Sequence, residues 1–582
     1  MLLRMMDAGL PTARTTTHGR VSGRRTGVIV GVVAVAPLVA LVVWALTTAL
    51  WSPGDVALTE IAVRDVGGIH TPLVGAYSRY GWHHPGPLLF YALAGPYRLL
   101  GADGSALAAG AAVLNGLAVA GCAVLLRRRG RLGGLLVGAL IIGILTRSLG
   151  GEVLTSAWNP VVTVFPMLLF VLAVWSVTCG DQWQLLTVVA VGAFLAQSHV
   201  GTGLVVAVGV VVAAGALIAS RRSRPVPSRL WLVAAVTGAV FWLPPIVEAI
   251  GHRGGNLRRL LDFWVGSHEH VTGWARSARI VGAELRFGAP WITGDFPRRG
   301  FLPGVDPGWT IPLVGILALV ALVMAARRRP ATDAVRLGLI TAGFTVVAWV
   351  SVARIVDEPF DYLLRWTGLV GALAFLAIGW LLLEAQADAT RSRAGWRRAA
   401  GVALGAATIA FSVVNSVSAF STETATLGEH RVFERLAPRL LRASESLRTP
   451  LLIEGLHDIS SAGLAADVLA ALRNAGVDAR FPRSLAWEVG ANHVVDPSRA
   501  GDRLLVGYGD GIAPLLADSR YSVVAFFDEL TPAQRRELES DQPGSTDLAA
   551  AAAWARLHPQ RARRFSQLAR RSARGVVLLR RG

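Results

Sequence analysis

The 582-residue chain contains no lysine; all 57 of its basic residues are arginine. Schiff-base catalysis and a Walker-type phosphate loop both need a lysine ammonium, so both are excluded. Cysteine is nearly absent. The two present, Cys122 and Cys179, fall inside or at the end of apolar segments, which excludes a disulfide framework and a cysteine-rich zinc protein. Charge is scarce as well: 16% of residues, against about 25% in an ordinary soluble domain. Hydrophobic residues make up 53% and the mean hydropathy is +0.50, so most of the chain belongs in lipid. The net charge of +19 would point to nucleic acid only if arginines gathered on a polar domain.

They gather instead between apolar runs. Residues 28–50 are uncharged and long enough to cross a hydrocarbon core of about 30 Å, and Arg14, Arg20, Arg24 and Arg25 precede them. The run exceeds a signal-peptide core and reads as a retained first span. Further apolar runs occupy 104–126, 132–146, 157–178, 183–198, 201–220, 230–250, 308–326, 332–353, 362–385 and 398–420. The total is about eleven spans. Alternation puts five basic clusters on one side: the N-terminal arginines, Arg127 to Arg131, Arg221 to Arg224, Arg327 to Arg329, and Arg391 to Arg398. The positive-inside rule makes that side cytoplasmic. Pro87 to Leu100 is short and holds Pro96 and Arg98; as a span it would push the Arg127 cluster outside, so it is predicted as an interfacial helix.

The predicted organisation is a cytoplasmic tail (1–27), a mainly α transmembrane bundle (28–420) with outer loops 51–103 and 251–307, and an extracytoplasmic α/β domain (421–582). In the last part apolar runs shorten to strand length, at 450–454, 504–508 and 522–527, with a helix pattern over 463–475 ended by Gly476. That alternation is an α/β signature. After Asp547 the chain carries arginines and no acidic residue, which reads as a solvated helix near anionic headgroups rather than a polyanion site.

The chemistry signal lies in the first outer loop. Asp55, Glu60, Arg64, Asp65, His70, Arg79, His83 and His84 crowd into a short stretch of an otherwise uncharged half. Arg64 and Asp65 stand just before Gly67-Gly68, where the backbone turns tightly and lets a ligand approach. Tyr77-Ser78-Arg79-Tyr80-Gly81-Trp82-His83-His84-Pro85-Gly86-Pro87 combines aromatics, a cation and imidazoles. Aromatic faces beside carboxylates suit sugars, whose C–H faces pack on rings while their hydroxyls hydrogen-bond.

A first span, an acidic loop, a His84-to-Tyr91 helix (HPGPLLFY) and a second span ending in arginines together resemble the polytopic GT-C glycosyltransferases. That group includes protein O-mannosyltransferases, lipid A aminoarabinose transferases and actinobacterial cell-envelope arabinosyl and mannosyl transferases. The resemblance covers residues 28–420 in layout and is close in the first loop. It implies an inverting transfer of sugar from a polyprenyl-phosphate donor to an outer-face envelope glycan, lipid or protein, with a first-loop acid as the essential residue. By its place before the His-Pro-Gly-Pro segment that acid maps onto Asp65. Where many members carry paired acids this chain has Arg64-Asp65-Val66, which favours a lone base over a metal pair; no cofactor is indicated, and a divalent cation is not called for.

The residues support the same chemistry by themselves. Transfer from a sugar phosphate needs a base for the acceptor hydroxyl and cations for the departing phosphate. Asp65 is the expected base, Arg64 and Arg79 candidates for the phosphate, and His83 and His84 hydrogen-bonding groups; a plain Arg64–Asp65 ion pair and helix-capping histidines are the alternatives. In the loop after the seventh span, Arg258 and Arg259 are placed to meet the carrier phosphate, and His268-Glu269-His270 has metal-ligand types without a third partner at a recognisable spacing. Arg354 and Arg365 flank the ninth and tenth spans as further phosphate candidates, with an Asp361–Arg365 helix pair as the alternative. His199 reads as a cavity-lining or capping residue. Two other functions compete. A transporter or flippase of lipid-linked sugars would carry mid-membrane charges and internal repeats, neither of which is found. A non-catalytic envelope-assembly protein would depend on 425–582 and tolerate changes at Asp65.

Overall fold

The computed structural model describes residues 17–221, 225–252, 254–266, 270–294, 307–387, 394–422, 427–456, 459–540, 554, 557–569, 571–572 and 574–579. The expected metal-type residues His268 and Glu269, most of the N-terminal tail, Arg222 and Arg224 and the start of the Arg391 cluster lie outside the described residues.

In lipid every backbone amide and carbonyl must find a partner within the chain, so apolar runs of this length become helices. Each of the eleven runs lies on a helix. α1 (Thr17–Thr47) leads to a short α2 (Asp55–Asp65), an antiparallel pair of two-residue strands, β1 (Tyr77–Ser78) and β2 (Trp82–His83), and α3 (Leu88–Leu99). α4 (Gly104–Leu154) is 51 residues long but broken at Arg131 (φ 52) and Gly150 (φ 77); Leu126 packs on Gly138, so the chain reverses at Arg131 into the two predicted runs. Asp103 caps its start, accepting from the Ala106 amide at 2.8 Å. α5 (Val164–Thr178), α6 (Gln184–Ser198), α7 (Gly203–Ser220) and α8 (Ser228–Gly251) follow. Next come α9 (Gly255–Val265), α10 (Trp274–Ala283), α11 (Pro290–Thr293), α12 (Leu313–Arg328), α13 (Asp333–Ala353), α14 (Asp361–Leu364), α15 (Gly368–Ala387) and α16 (Ala394–Ala419). Among the described residues seven helices are long and apolar enough to cross a membrane, α4 counted once. The chain is a multi-pass membrane protein. α5 is buried on nearly all sides and forms the bundle axis, whereas α8 and α12 turn Val233, Val236, Val240, Leu317, Val320 and Val323 outward, as lipid-facing helices do.

The two ends of the bundle differ. At one, the break in α4 meets the end of α5 and the start of α13: Arg129 donates to the Cys179 carbonyl (3.1 Å) and pairs with Asp333 (3.5 Å), and Arg128 pairs with Asp181 (3.4 Å). At the other, the first loop, the α6–α7 turn, α9 and the 354–360 segment converge under a C-terminal α/β region.

That region contains α17 (Leu427–Ser444), β3 (Leu451–Gly455), α18 (Ile459–Asn474), β4 (Ala479–Pro482), α19 (Ala486–Val489), β5 (Val494–Val495), β6 (Arg503–Tyr508), α20 (Ala513–Ala517), β7 (Tyr521–Phe527), α21 (Pro532–Ser540), α22 (Pro559–Ala569) and β8 (Arg574–Leu579). The sheet order is β5-β4-β3-β6-β8-β7, with β5, β4, β3 and β6 parallel and β8 antiparallel to both its neighbours, β6 and β7. Strands β3, β6 and β7 fall where the apolar runs predict them; α18 starts four residues before its predicted pattern.

α2 belongs to two cores at once. Ala57 and Ile61 pack with Phe433, Leu464, Val468 and Leu472 of the C-terminal region, while Val63 packs with Leu93, Tyr97 and Leu107 of the bundle. α3, predicted as an interfacial helix, buries Leu89, Phe90, Leu93, Ala94 and Tyr97 in this second core. α9 is the helix with an unburied apolar face: Leu257, Leu261, Trp264 and Val265 are exposed and continue the outward face of α8, while Leu260 is buried. Such a helix lies in the interfacial layer. Fluorescence quenching by brominated lipid is expected to fall in Trp264→Phe; an unchanged quenching curve would place α9 in water.

Candidate functional site

Asp65 does not face an open recess. It ends α2 against the C-terminal region, accepting from His493 Nε2 (2.6 Å) and Asn492 Nδ2 (2.8 Å). Burial alone would raise its carboxyl. The hydrogen bonds from His493 and Asn492, with the nearby His493 and Arg473 charges, outweigh burial and hold it below the ordinary range. A depressed carboxyl adds stability above its unfolded-state value of about 3.9, and the contribution is lost as pH falls through the lower folded-state value. Melting in detergent is therefore expected to fall more steeply toward low pH for the wild type than for Asp65→Asn; parallel curves would refute the linkage. Arg64 is likewise occupied, bonded to Tyr97 Oη (3.0 Å) and to Asn474, with Glu60 at 4.0 Å.

Asp55, at the other end of α2, stands differently. Its Oδ2 accepts from Trp158 Nε1 at 3.1 Å, yet the residue keeps a solvent-exposed surface. Burial pushes its carboxyl up, and the Trp158 hydrogen bond offsets part of that rise. The carboxylate thus meets water on one side and protein on the other. A wall runs on from ring to ring. Trp158 lies against Tyr362 (centroids 4.3 Å), Tyr362 stacks on Phe360 (5.6 Å, 8° between planes), and the Arg79 guanidinium covers Phe360 (5.3 Å) and Tyr80 (4.9 Å). Asp357 steadies this corner, accepting from Tyr80 Oη at 2.8 Å and pairing with Arg79 at 3.6 Å.

Beyond Tyr80 the band passes Trp82 (6.3 Å, stacked) to His84, whose ring lies edge-on to Trp82 (5.3 Å) and 4.8 Å from His199. Backbone amides fix both tautomers. The Val200 amide donates to His84 Nδ1 (3.1 Å) and the Gly201 amide to His199 Nδ1 (3.2 Å). An amide can only donate, so each Nδ1 is bare and each neutral ring carries its proton on Nε2. Burial keeps both rings neutral, His84 well below the ordinary range and His199 pushed down to about 4. Trp82 Nε1 is buried and has no hydrogen-bond partner among the described residues. Indole and imidazole N–H groups thus stand along this stretch.

His83 faces the other way. Its Nδ1 meets the Gly75 carbonyl (2.9 Å) and its Nε2 the Trp487 carbonyl (2.8 Å); burial outweighs these two acceptors and lowers its pKa. It ties the first loop to α19, as does Arg259, stacked on Trp487 at 4.1 Å and bonded to the Gly81 carbonyl. Arg258 is exposed and pairs with Asp262 (3.8 Å). Arg354 is exposed at the end of α13. Arg365 is buried and bonded to Asp361 (Nε to Oδ2 2.8 Å), the helix pair weighed against a phosphate role. The structure therefore gathers Arg79 and His84 with Asp55, Trp158, Tyr362 and His199, and places Asp65, Arg64, His83 and Arg259 at the contact with the C-terminal region. Asp55 stood in the acidic loop of the sequence without a role. Its signal was Pro53-Gly54-Asp55, a helix start immediately after a span.

The architecture has counterparts among solved structures. It is shared with two solved structures of ArnT from Cupriavidus metallidurans: one bound to undecaprenyl phosphate (12% identity, TM-score 0.50, 88% of this chain and 97% of that one), the other in the apo state (14%, 0.50, 86% and 96%). No protein-family model matches the chain. No curated protein matches its sequence.

Proposed function

We propose that the protein is a glycosyltransferase that moves a sugar from a polyprenyl-phosphate donor to a hydroxyl-bearing acceptor of the cell envelope, with inversion. The observation that carries the reading is the Asp55 recess at the capped end of an ArnT-like fold, one of whose solved relatives holds undecaprenyl phosphate. The arginine clusters, read by the positive-inside rule, support a cytoplasmic N-terminus and bundle domain with the recess and the α/β domain (421–582) on the outer face.

In this reading the base is Asp55 rather than Asp65, because Asp65 Oδ2 is engaged by both His493 and Asn492 while Asp55 is exposed to water. The acceptor hydroxyl gives its proton to the Asp55 carboxylate as its oxygen bonds to the anomeric carbon from the face opposite the phosphate. The bond from anomeric carbon to phosphate oxygen breaks, and the polyprenyl phosphate leaves with that electron pair. A raised carboxyl pKa makes the ionised Asp55 a stronger base. Arg79 and the N–H groups of His84 and His199 are the donors for phosphate charge, and the Trp158, Tyr362 and Phe360 rings are the platform for the sugar. Membranes or detergent-purified protein are to be offered a panel of labelled polyprenyl-phosphate sugars with envelope extract as acceptor. Label transfer that disappears in Asp55→Asn supports the reading. Absence of transfer from every donor by the wild type would overturn it.

A further inference from the structure

α2 carries Asp55 on its first turn and is held on one side by the bundle, through Trp158, Tyr97 and Val63, and on the other by the C-terminal region. At its start Gly54 adopts φ 51 and ψ −119, a conformation open to glycine, and has no side chain with which to cap the helix. Asp467, buried on α18, takes that place: its Oδ1 accepts from the Gly54 amide at 2.5 Å. A carboxylate at a helix N-terminus satisfies an otherwise free amide and complements the helix dipole. One turn earlier on α18, Gly463 lies alongside Gly54. Midway along α2, Asn474 donates to Glu60 (2.9 Å) and accepts from Arg64. At its end, His493 and Asn492 hold Asp65. Ala57 and Ile61 lie in the C-terminal core between these bonds.

We infer that the C-terminal region is part of the catalytic apparatus, with Asp467 as a positioning residue that fixes the first turn of α2 and so aims Asp55 into the recess. The inference rests on the reading of Asp55 as base. Fixing only the far end of α2 would leave its first turn to fray, because the opening amides of a helix have no partner within it. Reacting groups must be held to within about 1 Å, and a misplacement of that size costs on the order of a hundredfold in rate.

The test uses the full chain in detergent with the donor from the panel that supports transfer. Asp467→Ala is expected to speed hydrogen exchange of peptides covering 51–60 and to lower kcat by about tenfold or more, with donor KM within about twofold of wild type. Asp467→Asn keeps an oxygen for the Gly54 amide and is expected to restore both. Unchanged exchange in Asp467→Ala would overturn the anchor. Faster exchange with unchanged kcat would overturn the positioning role while Asp55→Asn remains inactive. If Asn fails as badly as Ala and both lower the melting temperature, Asp467 is a structural residue and the inference falls. Full activity of Asp55→Asn would instead remove the base reading beneath it, whatever Asp467 does.

Discussion

Asp55→Asn is expected to lower transfer by about 10²- to 10⁴-fold, the range that removal of a general base produces. Asparagine keeps the oxygen that accepts from Trp158 Nε1, so the aromatic wall and donor binding should survive while the proton acceptor is lost. The loss should therefore appear in kcat, with binding of undecaprenyl phosphate, followed by thermal shift, unchanged. The pH profile gives a second check. Burial raises the Asp55 carboxyl, and only its ionised form can act as base. The acid limb of kcat should accordingly lie above the ordinary carboxylate range, with activity falling as pH drops through it, and the residual activity of the variant should lack that limb. Asp65→Asn should leave the limb in place, since Asp65 is held below that range. A variant pair in which Asp65 moves the limb and Asp55 does not would return the base role to Asp65.

Arg365→Ala is expected to destabilise the protein by about 3–5 kcal/mol, the loss typical of breaking a buried ion pair from one side. Arg365 and Asp361 expose 9% and 10% of their side chains, and their contact places Nη2 2.5 Å from Oδ2. Removing the guanidinium strands a buried carboxylate; removing both charges does not. The double change Arg365→Met with Asp361→Leu should therefore recover most of the loss, and unfolding in detergent measures both. If Arg365→Ala kept its stability and lost undecaprenyl phosphate binding, Arg365 would be a ligand residue instead.

The contrast between Asp55 and Asp65 shows how far the sequence was legible. Apolar runs and arginine clusters are local signals, and they located the helices and the crowded first loop. The strands β3, β6 and β7 were legible for the same reason. β8 was not: Gly575 to Leu579 is a short apolar run among arginines, and its strand identity comes from pairing with β6 and β7 far back in the chain. The site divides in the same way. Arg79 and His84 stand in a composition of aromatics and cations that announces itself. The choice between two aspartates on one helix depends on what covers each, and those partners, Trp158 for one and Asn492 with His493 for the other, come from distant segments with no motif of their own. Arg365 admits two roles in the sequence because its spacing from Asp361 fits a helix pair and its place at a span end fits a ligand; in the fold it is buried and bonded to Asp361.

The bond between Gly54 and Asp467 joins residues 413 positions apart, and this sets an order on biosynthesis. α1, α2 and α3 leave the ribosome early. The face of α2 that carries Ala57 and Ile61 stays uncovered until α16 has been inserted and the last part of the chain has been made. A nascent protein halted anywhere before α18 has its bundle helices and its first loop but lacks the Asp467, Asn474, Asn492 and His493 bonds to α2. Such late, long-range closure is slow to form and exposes apolar surface meanwhile. If Asp55 is the base of a transfer from a lipid-linked donor, a partly synthesised or clipped copy, though anchored in the membrane, would meet that donor with its base out of register. Transfer would then begin only in chains that have been completed.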